Sequence, residues 1–218
     1  FQVDVANAAP VLSAIGNQSV NEGSLLSFTA SATDSDPGPQ ALAYSLGAGA
    51  PAGAGIDSVS GAFTWTPTEG QGPGDYPVTV RVTDDGVPAL ADSEAITIHV
   101  DEVNTAPVLS GVAVGDTIPE LVAYGFTATG SDADVPAQTL RFSLVGSPAG
   151  AAIDSVSGMF AWTPGEAQGP GDYPFTVRLS DGVASTDAAI TLTVEEVNTA
   201  PVLSAIGNQS GPEGSLLS

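Results

Sequence analysis

A long stretch that occurs twice decides the fold of this chain. Residues 55–86 read GIDSVSGAFTWTPTEGQGPGDYPVTVRVTDDG, and residues 152–182 read AIDSVSGMFAWTPGEAQGPGDYPFTVRLSDG. In the first copy, Tyr76, Val78, Val80 and Val82 occupy every second position, with polar residues between the valines. This alternation is typical of an antiparallel strand that has one face in a core and the other in solvent. The stretch therefore predicts β-structure, present in two copies.

The remainder of the chain repeats with the same period. Residues 10–28 read PVLSAIGNQSVNEGSLLSF, and residues 201–218 read PVLSAIGNQSGPEGSLLS. Pro10, Pro107 and Pro201 mark the period, at intervals of 97 and 94 residues. Self-similarity at a fixed period indicates a tandem array. We predict the end of a preceding repeat at 1–9, a first repeat at 10–104, a second at 105–198 and the start of a truncated third at 199–218.

Each repeat is predicted to be a β-sandwich. The segment AITIHV at 95–100 alternates in the same way, and turn signals such as DSDPGP and GQGPGD recur about every ten residues. About seven short strands at that spacing predict an all-β chain of tandem Ig-like antiparallel sandwiches. Trp65 and Trp162 stand at core-facing positions, so we expect them to be buried. The alternative is that they form an exposed platform for stacking on sugars.

Charge and composition exclude several classes of function. The chain of 218 residues has three Arg, no Lys and 25 acids, for a net charge of -22. Such a balance disfavours nucleic acid and anionic membrane surfaces as partners, because both require basic patches. There is no Cys, and the single histidine, His99, falls on the polar face of a strand. Thiol nucleophiles and zinc sites are thereby disfavoured, and we predict that the chain is not an enzyme and does not insert into a membrane.

The repeat resembles the bacterial cadherin-like repeats found in tandem in large secreted proteins and, through them, the cadherin superfamily. The segments that carry the resemblance are APVLSAIGNQSVNEGS and TWTPTEGQGPGDYPVTVRVTDDG, and similar segments run through the whole chain. The resemblance implies extracellular display, rod-like arrays and, in many members, Ca²⁺ held at each joint between repeats by acids from both neighbours.

Matching the cadherin motifs residue by residue assigns a set of calcium ligands to the central joint. These residues are Glu22, Glu69, Asp101, Asn104, Asp132, Asp134 and Asp181. Three positions depart from the cadherin pattern, because Gln71, Val103 and Asn104 replace residues that normally supply ligands. We therefore expect one or two ions at the joint rather than three.

The same matching predicts a half-site near each end of the chain. The N-terminal half-site comprises Asp4, Asn7, Asp34, Asp36 and Asp84, and the C-terminal one comprises Glu120, Glu166, Glu195 and Asn198. Calcium prefers six to eight oxygen ligands in a forgiving geometry, which acids brought together at a joint would supply. The alternative is that these acids form a solubilising surface and ordinary turns.

Two functions from different classes remain open at this point. The first is a structural and adhesive module of a long cell-surface protein, a spacer stiffened by Ca²⁺ whose partners are neighbouring repeats. The second is a glycan-binding module of a surface protein or of a secreted polysaccharide-degrading enzyme. We also expect the ends to be ordered by other copies in an array or filament, which would bury Val202, Leu203 and Ile206.

Overall fold

The structure, a computed structural model, describes residues 6–38, 40–205, 207 and 213–214. These residues form strands and turns, with short 3-10 turns at Glu69–Gln71 and Glu166–Gln168. The prediction of an all-β, Ig-like fold is confirmed. Asp4 and Ile206 lie outside the described residues. In the part of the chain that is described, no helix has the length and hydropathy to cross a bilayer.

The first repeat places its strands in two main sheets. Strand β9 lies beside β2 in parallel and beside β8 in antiparallel orientation, so that the first four-stranded sheet has the order β2-β9-β8-β5. A three-stranded sheet has the order β3-β7-β6, and β1 pairs with β4. The strands are β1 (Val11–Leu12), β2 (Gln18–Asn21), β3 (Leu26–Thr29), β4 (Ala32–Thr33), β5 (Ala43–Leu46), β6 (Gly55–Ile56), β7 (Ala62–Trp65), β8 (Gly74–Thr83) and β9 (Ala91–Asp101).

The second repeat has the same topology. Its four-stranded sheet has the order β11-β18-β17-β14, its three-stranded sheet has the order β12-β16-β15, and β10 pairs with β13. The strands are β10 (Val108–Ser110), β11 (Gly115–Pro119), β12 (Tyr124–Thr127), β13 (Thr129–Ser131), β14 (Arg141–Val145), β15 (Ala152–Ile153), β16 (Met159–Trp162), β17 (Gly171–Ser180) and β18 (Ser185–Glu195).

The alternating residues form the core of each repeat, as predicted. Val78, Val80 and Val82 of β8 are buried, and the polar residues between them face outward. Trp65 is buried, packs edge-on against Tyr76 with ring centroids 5.1 Å apart, and donates from Nε1 to the carbonyl oxygen of Ala52. Trp162 is buried in the equivalent position of the second repeat. Buried rings of this kind cannot stack on a sugar.

Contacts between residues divide the chain into two compact units. The first unit contains the described residues up to Val108, together with Gly130–Arg141 and Leu179–Thr186. The second contains Leu109–Thr129, Phe142–Arg178 and the described residues from Asp187 onward. The loops that carry Asp132, Asp134 and Asp181 thus belong to the first unit.

The residues that follow the second repeat are exposed where they are described. Val202 is 93% and Leu203 85% exposed, so a single chain does not bury them. The prediction that neighbouring copies cover this segment stays a prediction.

Candidate metal centre

Three glutamates form a compact cluster in the first unit, which we call the central glutamate cluster. One carboxylate oxygen each from Glu22, Glu69 and Glu102 lies within 4.8 Å of the others. Glu22 follows β2, where its N–H donates to the carbonyl oxygen of Asp101 at 3.0 Å. Its side chain points inward, and only 5% of the residue is exposed. The backbone hydrogen bond between Glu22 and Asp101 therefore fixes the position from which the Glu22 side chain extends into the protein.

The Glu22 carboxylate is only half satisfied. Its Oε1 accepts a hydrogen bond from the N–H of Val103 at 3.1 Å, whereas Oε2 is buried and has no hydrogen-bond partner. Oε2 also lies where a side chain at Gly72 would have to begin, so the glycine leaves room for it. A buried carboxylate oxygen without a donor is costly unless a cation or a proton compensates it.

Glu102 lies in surroundings that disfavour its ionised form. Both of its carboxylate oxygens are buried and lack hydrogen-bond partners. Burial, followed by repulsion from Glu22, Glu69 and Asp134, raises the pKa of the Glu102 carboxyl above its ordinary value. Like charges held this close favour either a proton or a shared cation.

Glu69 enters the cluster from a 3-10 turn. It is the first residue of the turn Glu69–Gln71, and its Oε1 accepts from the N–H of Val135 at 3.1 Å. Gln71 has a different role, because its Oε1 accepts from the N–H of Thr68 and its Nε2 donates to the Ala52 carbonyl. Gln71 thus stabilises the turn that carries Glu69.

Three aspartates form a second group in the first unit, the aspartate cluster. One oxygen each from Asp132, Asp134 and Asp181 lies within 4.8 Å of the others. Asp134 is almost fully buried and accepts hydrogen bonds from the N–H and the hydroxyl of Thr105. Asp132 accepts from the N–H of Asp134 at 3.0 Å. Asp134 is thus held by several donors of the chain, whereas Oδ2 of Asp132 is buried and has no hydrogen-bond partner.

Asp181 and Asn104 complete the aspartate cluster. Burial acts to raise the pKa of the Asp181 carboxyl, but the N–H groups of Ala184 and Val183 and the amide of Asn104 hold it below its ordinary value. Asn104 donates from Nδ2 to Asp181 Oδ2 at 3.1 Å, and its Oδ1 accepts from the side chain of Gln138 at 2.8 Å. These donors therefore favour the ionised form of Asp181 and fix the position of its carboxylate.

The second unit contains a copy of the glutamate cluster, which we call the C-terminal glutamate cluster. Its members are Glu120, Glu166 and Glu196, again with oxygens within 4.8 Å of one another. Glu120 is 0% exposed; its Oε1 accepts from the N–H of Val197 at 3.1 Å, and its Oε2 is buried without a partner. Burial, then repulsion from Glu120 and Glu166, raises the pKa of the Glu196 carboxyl.

The N-terminal half-site repeats the aspartate arrangement where it is described. Asn7 donates from Nδ2 to Asp84 Oδ2 at 3.1 Å, and the N–H of Ala8 donates to both oxygens of Asp36 at 3.1 Å. Asp34 accepts from the N–H of Asp36 at 3.0 Å. Asp4, which we also predicted here, lies outside the described residues.

Two of the predicted ligands, Asp101 and Glu195, are not members of the carboxylate clusters. Asp101 lies beside His99 instead, with His99 Nε2 and Asp101 Oδ1 3.4 Å apart, and Glu102 occupies the cluster. In the same way Glu196, not Glu195, joins Glu120 and Glu166. The alternation of side chains along β9 already predicts this difference, because Asp101 follows buried Val100 and must point outward, whereas Glu102 points inward. Asn198 is exposed.

Basic side chains do not balance these clusters. Among the described residues, Arg178 forms an ion pair with Asp187, and His99 forms contacts with Asp75 and Asp101. Within the same part of the chain, none of the ion pairs reaches any of the three carboxylate clusters. No basic side chain of the described residues forms an ion pair with the clustered acids. An added cation would therefore find a site rich in oxygen ligands.

The fold and its repetition define a protein of tandem Ig-like, cadherin-like β-sandwiches. The chain belongs to the family described as "Putative Ig domain", whose model matches residues 9–101 and 106–195. Among curated proteins, no sequence matches this chain.

Solved structures of cadherin extracellular domains are similar in fold. Mouse Cadherin-23 EC22-24 has 18% identity and a TM-score of 0.54, with 87% of this chain and 67% of that chain covered. Protocadherin Gamma B2 extracellular cadherin domains 3-6 has 17% identity and a TM-score of 0.52, with 88% and 55% covered. Human CDH23 EC21-23 has 17% identity and a TM-score of 0.52, with 85% and 63% covered. This chain thus corresponds to only part of those chains, and the likeness concerns the fold alone.

Proposed function

We propose that the chain is a structural and adhesive module of a long extracellular or cell-surface repeat protein. It acts as a spacer in which Ca²⁺ stiffens the joint between the first and second repeats. The observation that carries the proposal is the buried, unpartnered Oε2 of Glu22 beside Glu69 and Glu102. A surface that merely confers solubility has no need to bury a carboxylate and leave one oxygen without a donor.

Calcium fits the donors better than other metals do. The clusters supply carboxylate and amide oxygens, and the chain has no Cys and one His, which lies outside them. Oxygen-only ligand sets suit Ca²⁺ and Mg²⁺, whereas Zn²⁺ prefers nitrogen and sulfur. Irregularly arranged carboxylates favour Ca²⁺, because Mg²⁺ requires near-octahedral geometry and keeps several waters.

The residues of the chain would orient the ligands for such an ion. The N–H of Val103 holds Oε1 of Glu22, and Thr105 holds Asp134. Val103 and Thr105 lie on either side of Asn104, in the segment that joins the sequence repeats. An ion bound by residues on both sides of this segment would restrain it, which is the physical basis of the proposed stiffening. We propose the ligand set Glu22, Glu69, Glu102, Asn104, Asp132, Asp134 and Asp181.

Calorimetric titration of the full chain with Ca²⁺ tests the binding. We expect tight binding that Mg²⁺ does not reproduce, and a rise in the melting temperature because the ion binds the folded state; at 100 times Kd the stabilisation is about 2.7 kcal/mol. Glu102→Gln should weaken the binding at least about tenfold, and the matched control Glu196→Gln should leave it unchanged. A wild-type chain that shows no heat of binding at millimolar Ca²⁺ would contradict the proposal.

Small-angle scattering tests the stiffening separately. The maximum dimension and its spread are compared in chelator and in millimolar Ca²⁺, and we expect a narrower distribution with the ion. Ca²⁺ binding without any change in scattering would retain the metal site and remove the mechanical role. Concentration-dependent scattering or sedimentation would also show whether copies associate into the array that we predict.

A further inference from the structure

Gln138 occupies a central place in the aspartate cluster that the family motifs did not indicate. Its Nε2 donates to Asn104 Oδ1 at 2.8 Å and to Asp134 Oδ2 at 3.0 Å. The other end of the amide differs, because Gln138 Oε1 is buried and has no hydrogen-bond partner. The side chain thus bridges two oxygens of the proposed calcium site with its donor end and leaves its acceptor end unused.

Gln40 repeats this arrangement in the other copy. Its Nε2 donates to Asp36 Oδ2 at 2.6 Å and to Asn7 Oδ1 at 3.2 Å, and its Oε1 is likewise buried without a partner. Both glutamines stand four residues after the second Asp of their Asp-x-Asp pair. The bridge is therefore a property of the repeat and not an accident of one side chain.

The orientation of this amide depends on the charge that it faces. With two acceptor oxygens in front of it, the amide must present its N–H groups, since an oxygen in that position would be repelled. A cation among the same oxygens reverses the preference, because it repels the N–H dipole and attracts the carbonyl oxygen. The terminal torsion of Gln is broad and roughly two-fold, so the exchange requires no change in the backbone.

We propose that Gln138 is a two-state ligand of the central calcium site, an inference that rests on the function proposed above. Without the ion, its Nε2 joins Asn104 to Asp134 and offsets part of their mutual repulsion. With the ion, the amide turns and Oε1 becomes a neutral ligand. A neutral oxygen adds to the coordination without adding a further charge to the three aspartates.

Two substitutions at one position separate a ligand from a structural donor. Gln138→Leu removes both ends of the amide, and we expect the Ca²⁺ affinity of the full chain to fall about tenfold or more. Gln138→Glu retains oxygen ligands but has no N–H to donate, so a ligand role predicts affinity at least equal to that of the wild type. The control Gln40→Leu should leave the affinity of the central site unchanged. Titration calorimetry measures all three variants.

A spectroscopic readout on the wild-type chain avoids dependence on any variant. The side-chain amide resonances of Gln138 in a ¹⁵N-¹H spectrum should shift on addition of Ca²⁺ as Nε2 leaves its two acceptors. The assignment is overturned if Gln138→Leu binds Ca²⁺ as tightly as the wild type, if Gln138→Glu is as weak as Gln138→Leu, or if these resonances do not move. A wild-type chain that binds no Ca²⁺ overturns the proposed function itself, which is a different result.

Discussion

The two glutamate clusters have nearly identical local geometry but different surroundings. Glu22 and Glu120 each accept one N–H through Oε1 at 3.1 Å and each bury an unpartnered Oε2. The central cluster shares its unit with three aspartates, and Asp134 contributes to the raised pKa of Glu102. After residue 198, by contrast, the sequence contains a single acid, Glu213.

This difference distinguishes the acids that one repeat positions by itself from the acids that the following repeat supplies. Each repeat positions its own glutamates through strand pairing and a 3-10 turn. At the central cluster, the N–H of Val135 in the following repeat adds a hydrogen bond to Glu69. The aspartates come from the loops of the following repeat and are held by backbone N–H groups. We therefore expect tight Ca²⁺ binding at the central cluster and weak binding at the C-terminal one.

We expect the largest effect from a substitution that unfolds one repeat and leaves the other folded. Trp65→Ala removes a buried aromatic side chain, which costs roughly 3–5 kcal/mol, a large share of a single domain's stability. The chain has two Trp residues, so Trp162 is then the only tryptophan that reports unfolding. The urea transition that Trp162 reports should match that of the second repeat in the wild type, while far-UV circular dichroism shows that the first repeat has lost its structure. Trp162→Ala should give the mirror result through Trp65. If far-UV circular dichroism shows that the first repeat of Trp65→Ala unfolds at the same urea concentration as in the wild type, the buried-core assignment is wrong.

Removing an aspartate should have the next largest effect. Asp134→Ala deletes the acceptor for Thr105 and Gln138 at the central site. We expect the Ca²⁺ affinity to fall at least about tenfold. Asp36→Ala makes the equivalent change near the N-terminus, where Asp36 accepts from Ala8 and Gln40. Titration should show that Asp36→Ala leaves the tight site intact. Equal losses in the two variants would refute the assignment of the tight site to the central cluster.

Crowding the unpartnered oxygen gives a smaller and more selective change. A Cβ at Gly72 would collide with Oε2 of Glu22, and a Cβ at Gly169 would collide with Oε2 of Glu120. Gly72→Ala and Gly169→Ala should each lower stability in chelator by about 1–3 kcal/mol through overpacking. Only Gly72→Ala should also weaken Ca²⁺ binding at the tight site. Melting curves in chelator measure the loss of stability in both variants, and titration with Ca²⁺ measures the loss of affinity. A Gly169→Ala variant that weakens the tight site would show that the two clusters are not separate.

We expect the smallest effect at a contact that lies outside the clusters and differs between the two repeats. A hydrogen bond to Asp75, with further attraction to Asp75 and Asp101, raises the pKa of His99 above its ordinary value. Because the folded-state pKa is the higher one, this stabilisation is complete below the unfolded-state pKa and is lost as pH rises through the folded-state pKa. The second repeat has Thr193 bonded to Asp172 at 2.7 Å in that position.

His99→Thr should therefore remove one component of the pH dependence. The melting temperature of the wild type relative to the variant should fall as pH rises between about 5 and 8, the range in which His titrates. A difference that does not vary over this range would show that the His99–Asp75 contact contributes nothing to stability.

Sequence patterns were sufficient for the fold and for most of the candidate central site. Alternation predicted β8, β9 and the buried tryptophans, because period two follows directly from strand geometry. Glu22, Asp132, Asp134 and Asp181 were found by motif, and the structure brings them into the clusters. Motif matching did not distinguish Asp101 from Glu102, because the alternation of side chains along the strand decides which of the two acids faces inward.

Side-chain hydrogen bonds account for what sequence reasoning missed. Gln138 has no counterpart in the motifs, and its importance appears only when its contacts with Asn104 and Asp134 are known. Gln71 was interpreted as a replaced ligand, whereas it holds the turn that carries Glu69. Such roles depend on distances of a few tenths of an ångström, which spacing along the chain does not encode.

The melting temperature of Glu22→Gln, measured in chelator and in millimolar Ca²⁺, tests the central claim most directly. The substitution removes a buried charge and gives Glu69 and Glu102 an N–H donor in place of the unpartnered oxygen. In chelator the variant should therefore melt above the wild type, and in Ca²⁺ it should melt below it, because the ion no longer binds tightly. The matched variant Glu120→Gln should melt above the wild type in both conditions. A Glu22→Gln chain that melts no higher than the wild type in chelator and gains as much as the wild type from Ca²⁺ would contradict the account.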